Sequence, residues 1–178
     1  MSTIKVSTIS PLGTDATKTI TIGSTSNGDV AAGVFTNVPA FQASLSANQS
    51  LSASSITTLQ FDEKQFDTNT FFDTSTYTFT PTIAGRYYFY AYASIDELAD
   101  TKLAQMFFYK DGSQITAAKT TLNAATSGGS SSPTLNIEFI TYLNGSEGVN
   151  CRLAQYDTTS RNIRSDSSIF GAYRIIGA

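Results

Sequence analysis

Carboxylates gather in two short stretches of the 178-residue sequence: Asp62, Glu63, Asp67 and Asp73 in one, Asp96, Glu97 and Asp100 in the other. Two carboxyl groups flanking a glycosidic bond can hydrolyse it. Oxygen donors of this kind can also hold calcium, but neither stretch has the spacing of a calcium-binding loop. Solvated turns built on aspartate are the plainer reading of both. The sequence contains no histidine, which removes Ser-His-Asp and Cys-His arrangements and the common zinc sites. No glycine-rich phosphate cradle follows a strand and opens a helix. The single cysteine, Cys151, has no partner for an internal disulfide and reads as a small buried hydrophobe. No cofactor or metal is expected. Catalysis is poorly supported, and a surface glycosidase ranks behind any binding role.

The side chains best placed for function are aromatic. In Arg86–Ile95, alternate residues of a pleated strand point to opposite faces. One face carries Tyr87, Phe89, Ala91, Ala93 and Ile95, and the other carries Tyr88, Tyr90 and Tyr92. Neither face is polar enough to be left in water, so the strand belongs in the middle of a β protein, covered from both sides. The Phe, Ala and Ile face suits the interior of a sandwich. The tyrosine face suits a partly wet contact with another subunit, because each hydroxyl needs a partner when buried.

The elements that position these residues follow from composition and period. Hydrophobic residues make up 40% and charged residues 14% of the chain, the latter well below the roughly 25% usual for a soluble domain. Ser, Thr, Asn and Gly fill the difference and favour strands and turns over helices. Strands are expected at Pro39–Ser46, Ile56–Phe61, Lys102–Tyr109, Ser113–Leu122, Thr134–Leu143, Val149–Tyr156 and Ile169–Ile176. Asp62–Asn69 and Asp96–Thr101 read as polar loops, Ser127–Ser132 as a flexible tip. Lys110-Asp111-Gly112 and Asn144-Gly145 read as hairpin turns. Eight to ten such strands and no convincing helix mean an all-β sandwich or jelly roll. The expected core is Phe41, Phe61, Phe79, Tyr87, Phe89, Phe139 and Phe170. The net charge of −3 gives no electrostatic footprint for nucleic acid. No apolar run is long enough to span a bilayer as a helix, so no membrane insertion is expected.

Residues 1–38 differ from the rest, with short β-like pieces punctuated by glycine. They read as an extended arm that gains order by docking through Ile4, Val6, Ile20 and Ile22. The opening Met1-Ser-Thr-Ile-Lys-Val lacks the apolar segment of a secretory signal, so the protein either is not secreted by that route or has already lost its signal, and the initiator-like Met1 favours the former.

Asp73-Thr-Ser-Thr-Tyr-Thr-Phe-Thr-Pro-Thr-Ile-Ala-Gly-Arg-Tyr-Tyr-Phe resembles the signature of the complement q-subcomponent head, in the jelly-roll superfamily that includes tumour necrosis factor. Ala40-Phe41, Phe61-Asp62, Lys110-Asp111-Gly112, Leu143-Asn-Gly-Ser-Glu-Gly-Val and Ser168-Ile-Phe-Gly-Ala-Tyr-Arg-Ile-Ile follow as further landmarks, in family order. Ser146-Glu147 replaces the usual Asp, and the serine that normally precedes Gly171 is missing. The resemblance implies a ten-stranded jelly-roll head over 39–178 that assembles as a homotrimer, with Tyr88, Tyr90 and Tyr92 at the subunit interface. Some heads of this family bind calcium, but no residue here matches a ligand motif.

The opening Met1-Ser-Thr-Ile-Lys-Val and Ile20-Thr-Ile-Gly also resemble the starts of short structural and tail-fibre proteins of marine tailed phages. That resemblance implies a virion component, assembled in the host cytoplasm and displayed on the virion surface. The arm would hold other virion proteins, and the head, a tail-fibre tip or a capsid decoration, would face a host surface glycan or receptor. The rival expectation is a secreted, non-viral recognition or signalling head of the complement or cytokine type.

Overall fold

A computed structural model describes residues 38–124 and 129–175. The expected arm up to residue 37, with Ile4, Val6, Ile20 and Ile22, lies outside the described residues, as do Ser127 and the last residue of the expected closing strand, Ile176.

The described chain is β throughout, apart from one 3-10 turn at Ser165–Ser167. Its strands are β1 (Ala40–Ser44), β2 (Gln49–Leu51), β3 (Ile56–Thr58), β4 (Glu63–Asp67), β5 (Phe72–Asp73), β6 (Thr78–Phe79), β7 (Gly85–Ser94) and β8 (Leu98–Ala99). They continue as β9 (Leu103–Lys110), β10 (Ser113–Asn123), β11 (Ser130–Ser131), β12 (Thr134–Leu143), β13 (Val149–Gln155), β14 (Arg161–Ile163) and β15 (Ile169–Arg174). One sheet runs in the order β12-β7-β15-β1-β4, the other in the order β10-β9-β13-β6-β5, with β3 added beside β13. Five strands thus lie on each main path, every pair antiparallel. This is the jelly-roll sandwich that the aromatic motif implies. Two short ribbons, β11-β8 and β14-β2, accompany the main sheets.

The core lies between the two inner faces. Phe41, Phe61, Phe79, Tyr87, Phe89 and Phe170 are fully buried, as expected. Phe139 differs: it faces the core but is only partly buried at its margin, because its strand is the edge of its sheet. Phe170 lies 4.9 Å from Phe41, 5.7 Å from Phe61, 5.9 Å from Phe72 and 5.8 Å from Phe108, ring centre to ring centre. Phe108 belongs to the opposite sheet, so these rings join the layers. Tyr87 can stand in the core because its hydroxyl donates to the Ile83 carbonyl at 2.7 Å, which supplies the partner that burial demands.

Several local expectations are corrected. Asp62–Asn69 contains β4, paired to β1. Its residues Glu63–Phe66 are exposed and show no alternation of apolar and polar side chains, so backbone pairing makes a strand without a pattern to announce it. Asp96–Thr101 contains β8, with Leu98 fully buried, and its partner β11 lies in the stretch expected to be a flexible tip. Asn144-Gly145 does not make a hairpin, since β12 and β13 belong to different sheets. The turn chemistry itself is present: Asn144 Oδ1 accepts from the Ser146 amide at 2.9 Å, and Gly145 has φ of 95°. Asp111-Gly112 is a true hairpin turn, with φ of 47° and 77°, the primed geometry that suits twisted strands.

β7 runs from one pole of the sandwich to the other. At its start, the Arg174 amide donates to the Pro39 carbonyl at 2.9 Å, so the chain enters and leaves the head side by side. Beyond its end, Ile95 meets Pro133, and Arg164 donates to the Ser94 carbonyl. Near this far pole lies Asp157, whose carboxylate meets the Arg161 guanidinium at 2.7 Å and the Ala99 amide at 3.1 Å. Burial alone would raise its carboxyl pKa. The Ala99 and Thr158 amides and Arg161 outweigh that and hold it down to about 2.

A carboxyl depressed on folding stabilises the native state above its unfolded pKa of roughly 3.9, and that stability is lost as pH falls through the folded value. Asp157→Asn is therefore expected to melt below the parent at pH 7 and to converge on it as pH falls towards 2. Thermal unfolding followed across that range checks this.

Candidate functional site

The outer face of the first sheet is the candidate site. Register fixes its membership: Tyr92, Tyr90 and Tyr88 of β7 stand opposite Ile169, Gly171 and Tyr173 of β15. On the other side they stand opposite Asn136, Glu138 and Ile140 of β12. Tyr88 lies 5.2 Å from Tyr173 and 6.2 Å from Tyr90, and Tyr90 lies 6.4 Å from Tyr92. The three β7 tyrosines are half-buried within the subunit. Their rings form a continuous strip along the strand.

The strip is held in place from below. A Cβ on Gly171 would stand 2.4 Å from the Tyr90 ring and 2.9 Å from the Phe41 carbonyl oxygen. Only the absence of a side chain at Gly171 lets the ring lie down on β15. The Tyr90 hydroxyl then donates to Gln42 Oε1 on β1 at 2.9 Å. Burial raises the Tyr90 phenol above its ordinary value. Tyr88 donates to the Glu138 carboxylate, which with partial burial pushes its phenol up to about 12. Both hydroxyls therefore stay protonated donors at neutral pH.

Sequence reasoning found these three tyrosines but missed the rest of the face. Phe66, Ile140, Tyr142 and Tyr173 are 46%, 49%, 51% and 46% exposed. Ile140 and Tyr142 could have been found: the outward positions of Thr134–Leu143 run Asn136, Glu138, Ile140, Tyr142, turning from polar to apolar along the strand. Around the edge, a groove of about 460 Å³ opens between β12 and β10, with Arg86, Lys110, Gln114, Ile115 and Tyr142 in its wall. Lys110 is paired with Glu147 at 2.9 Å. Arg86 has no ion pair among the described residues.

The carboxylates with catalytic potential serve local structure instead. Asp62 accepts from the Ser46 hydroxyl and amide at 2.6 and 2.8 Å, and these bonds, the hydroxyl foremost, lower its pKa. Asp67 caps the Phe71 and Phe72 amides at 3.1 Å each, and Asp73 holds Ser75 at 2.7 Å. Asp96 accepts from Ser132 at 3.1 Å. Among the described residues no three acidic, histidine or cysteine side chains gather as a metal site. Cys151 is fully buried, and burial pushes its thiol far up, away from reactivity.

Replacing Gly171 by Ala is expected to lift Tyr90 off β15 and cost roughly 1–3 kcal/mol of stability. The same change should cost less in a Tyr90→Ala background, because one of the two obstructing groups is gone. Denaturant unfolding of the four proteins in that cycle measures both numbers.

No family model matches the sequence, and no curated protein matches it. Solved structures do match in shape. The globular domain of zebrafish complement 1qA protein superposes with a TM-score of 0.52 at 20% identity, covering 78% of this chain and 98% of that one. Eiger TNF from S. frugiperda gives 0.57 at 9% identity, covering 79% and 94%. Murine APRIL gives 0.58 at 7% identity, covering 78% and 100%. The head of this chain has the jelly-roll fold shared by complement and tumour-necrosis-factor domains.

Proposed function

We propose that this chain is a self-associating recognition head, a homotrimer whose subunits meet across the face of Tyr88, Tyr90 and Tyr92. The observation that carries this reading is that face itself. Monomeric proteins rarely expose contiguous apolar patches of more than a few hundred Å². Here a half-covered tyrosine strip continues into the exposed Ile140, Tyr142, Tyr173 and Phe66. Aromatic residues with a polar tip suit a subunit contact better than a permanent core. A closed three-fold ring also needs two different patches on each subunit. The groove at the β12 and β10 edge, with Arg86 unpaired among the described residues, is a second patch beside the first. The head acts by binding, in keeping with carboxylates that are engaged in turns rather than gathered around a cleft.

Within that class, the proposed place is the surface of a phage particle. Residues up to about 38 anchor the protein to other virion proteins, and the head faces outward to a host surface glycan or receptor. The support is the likeness of Met1-Ser-Thr-Ile-Lys-Val and Ile20-Thr-Ile-Gly to the starts of phage structural proteins. The complement and tumour-necrosis-factor folds of the structural neighbours favour a second reading, a secreted recognition or signalling head.

Tyr90→Ala is expected to weaken the trimer by roughly 2–4 kcal/mol per site. Sedimentation at submicromolar protein should show trimer for the parent and lighter species for the variant; a monomeric parent sinks the assembly reading. Mass spectrometry and immunogold labelling of purified virions are expected to place the protein on the particle. Its absence there returns the choice to the secreted head.

A further inference from the structure

The outer face of the second sheet differs in kind from the tyrosine face. Its central row is set by register: Phe107 of β9 stands opposite Lys119 of β10 on one side and Arg152 of β13 on the other. Arg152 in turn stands opposite Thr58 of β3. Neighbouring strands lie about 4.8 Å apart, so the backbones of Lys119 and Arg152 are about 10 Å apart with an aromatic ring between them.

Arg152 is held in place before any ligand arrives. Its guanidinium carbon lies 4.1 Å from the centre of the Tyr109 ring. Its Nε donates to Asn150 Oδ1 at 3.2 Å, and its Nη groups have no partner among the described residues. A guanidinium stacked on a ring and steered through Nε keeps its outer donors ready for a planar anion. Lys119 is exposed and has no carboxylate partner among the described residues. Tyr109 meets Phe107 edge-on at 6.4 Å.

Charge sharpens the contrast. The chain holds 14 acidic and 11 basic residues, yet no acidic residue stands among the register partners of this row or of its two flanking rows on β9, β10 and β13. Those rows supply amides and hydroxyls instead. Gln105 Nε2 donates to Thr121 at 3.1 Å, and the Tyr156 hydroxyl donates to Gln105 Oε1 at 3.0 Å. The row sets two cations about one strand either side of a buried ring, Phe107, with a rim of hydrogen-bonding groups.

We propose that this row, Lys119–Phe107–Arg152, binds an acidic polysaccharide, its carboxylates or sulfates meeting the two cations. A hydroxyl-rich, repeating anion matches spaced cations and a polar rim. A peptide partner would want accessible apolar anchor points, whereas Phe107, the one ring in the row, is only 3% exposed. The inference rests on the recognition reading but not on the trimer, because the row is complete within one subunit.

Calorimetric titration of the full chain in low salt provides the test, using polygalacturonate, heparin, polyglutamate and uncharged dextran. At least one acidic polymer is expected to bind and dextran is not, with binding weakened by added salt. Polygalacturonate alone would assign carboxylate recognition, heparin alone sulfate recognition. In the Lys119→Gln/Arg152→Gln double variant the affinity should fall at least about tenfold, whereas Lys102→Gln should stay within about twofold of the parent. The proposal is overturned if neither acidic polymer binds, if the double variant binds like the parent, if dextran binds equally well, or if polyglutamate binds more tightly than both. Sedimentation of the same samples separates the two readings. A trimer that binds nothing defeats only the glycan site, and a monomer that binds defeats only the assembly.

Discussion

Phe170 is the point at which the two sheets are locked together. Its ring sits among Phe41, Phe61, Phe72, Phe89 and Phe108, drawn from both layers. Edge-on and tilted packing of this sort adds to the burial energy of each ring. It also fixes how far apart the sheets stand and which way each strand faces. Because Phe170 points inward, Gly171 must point outward, and because Phe89 points inward, Tyr88 and Tyr90 must point outward. The interior thus dictates what the exterior displays. Changing the core without disturbing the outer faces is hard in such a structure, since one strand serves both.

That coupling explains the division of labour between the two outer surfaces. β7, β12 and β15 carry tyrosines and exposed aliphatic residues outward, a face suited to a second copy of the chain. β9, β10 and β13 carry cations, amides and one covered ring outward, a face suited to a charged and hydroxylated partner. The binding proposed for this head is spread over sheet faces.

Much of this was legible in the sequence because a two-residue period reports the faces of a strand directly. The alternation in Arg86–Ile95 identified both the core residues and the tyrosine strip, and the aromatic motif around Pro81 and Gly85 identified the jelly roll. What escaped was pairing that leaves no trace in hydropathy. β4 is held by backbone bonds to β1 while the side chains of Glu63–Phe66 stay exposed, so Asp62–Asn69 reads as a loop. Leu98 lies alone among polar neighbours, and its burial depends on a partner, β11, distant in the chain. Asn144-Gly145 names a turn but not the sheet to which the chain goes next. Phe139 has the right face for the core but sits on an edge strand, a fact of strand order that no local pattern contains. The cation row was equally hidden, since Lys119, Phe107 and Arg152 come together only through register.

The hydrogen bond from the Arg174 amide to the Pro39 carbonyl has a practical consequence. Because Pro39 and Arg174 share one pole, the strands β1 and β15 begin and end the head there, and the opposite pole is free of both ends. β7 spans ten residues, roughly 30 Å of extended chain at ordinary strand rise. The loops around Asp96 and Asp157 would then be carried that far above any surface to which the head is pinned.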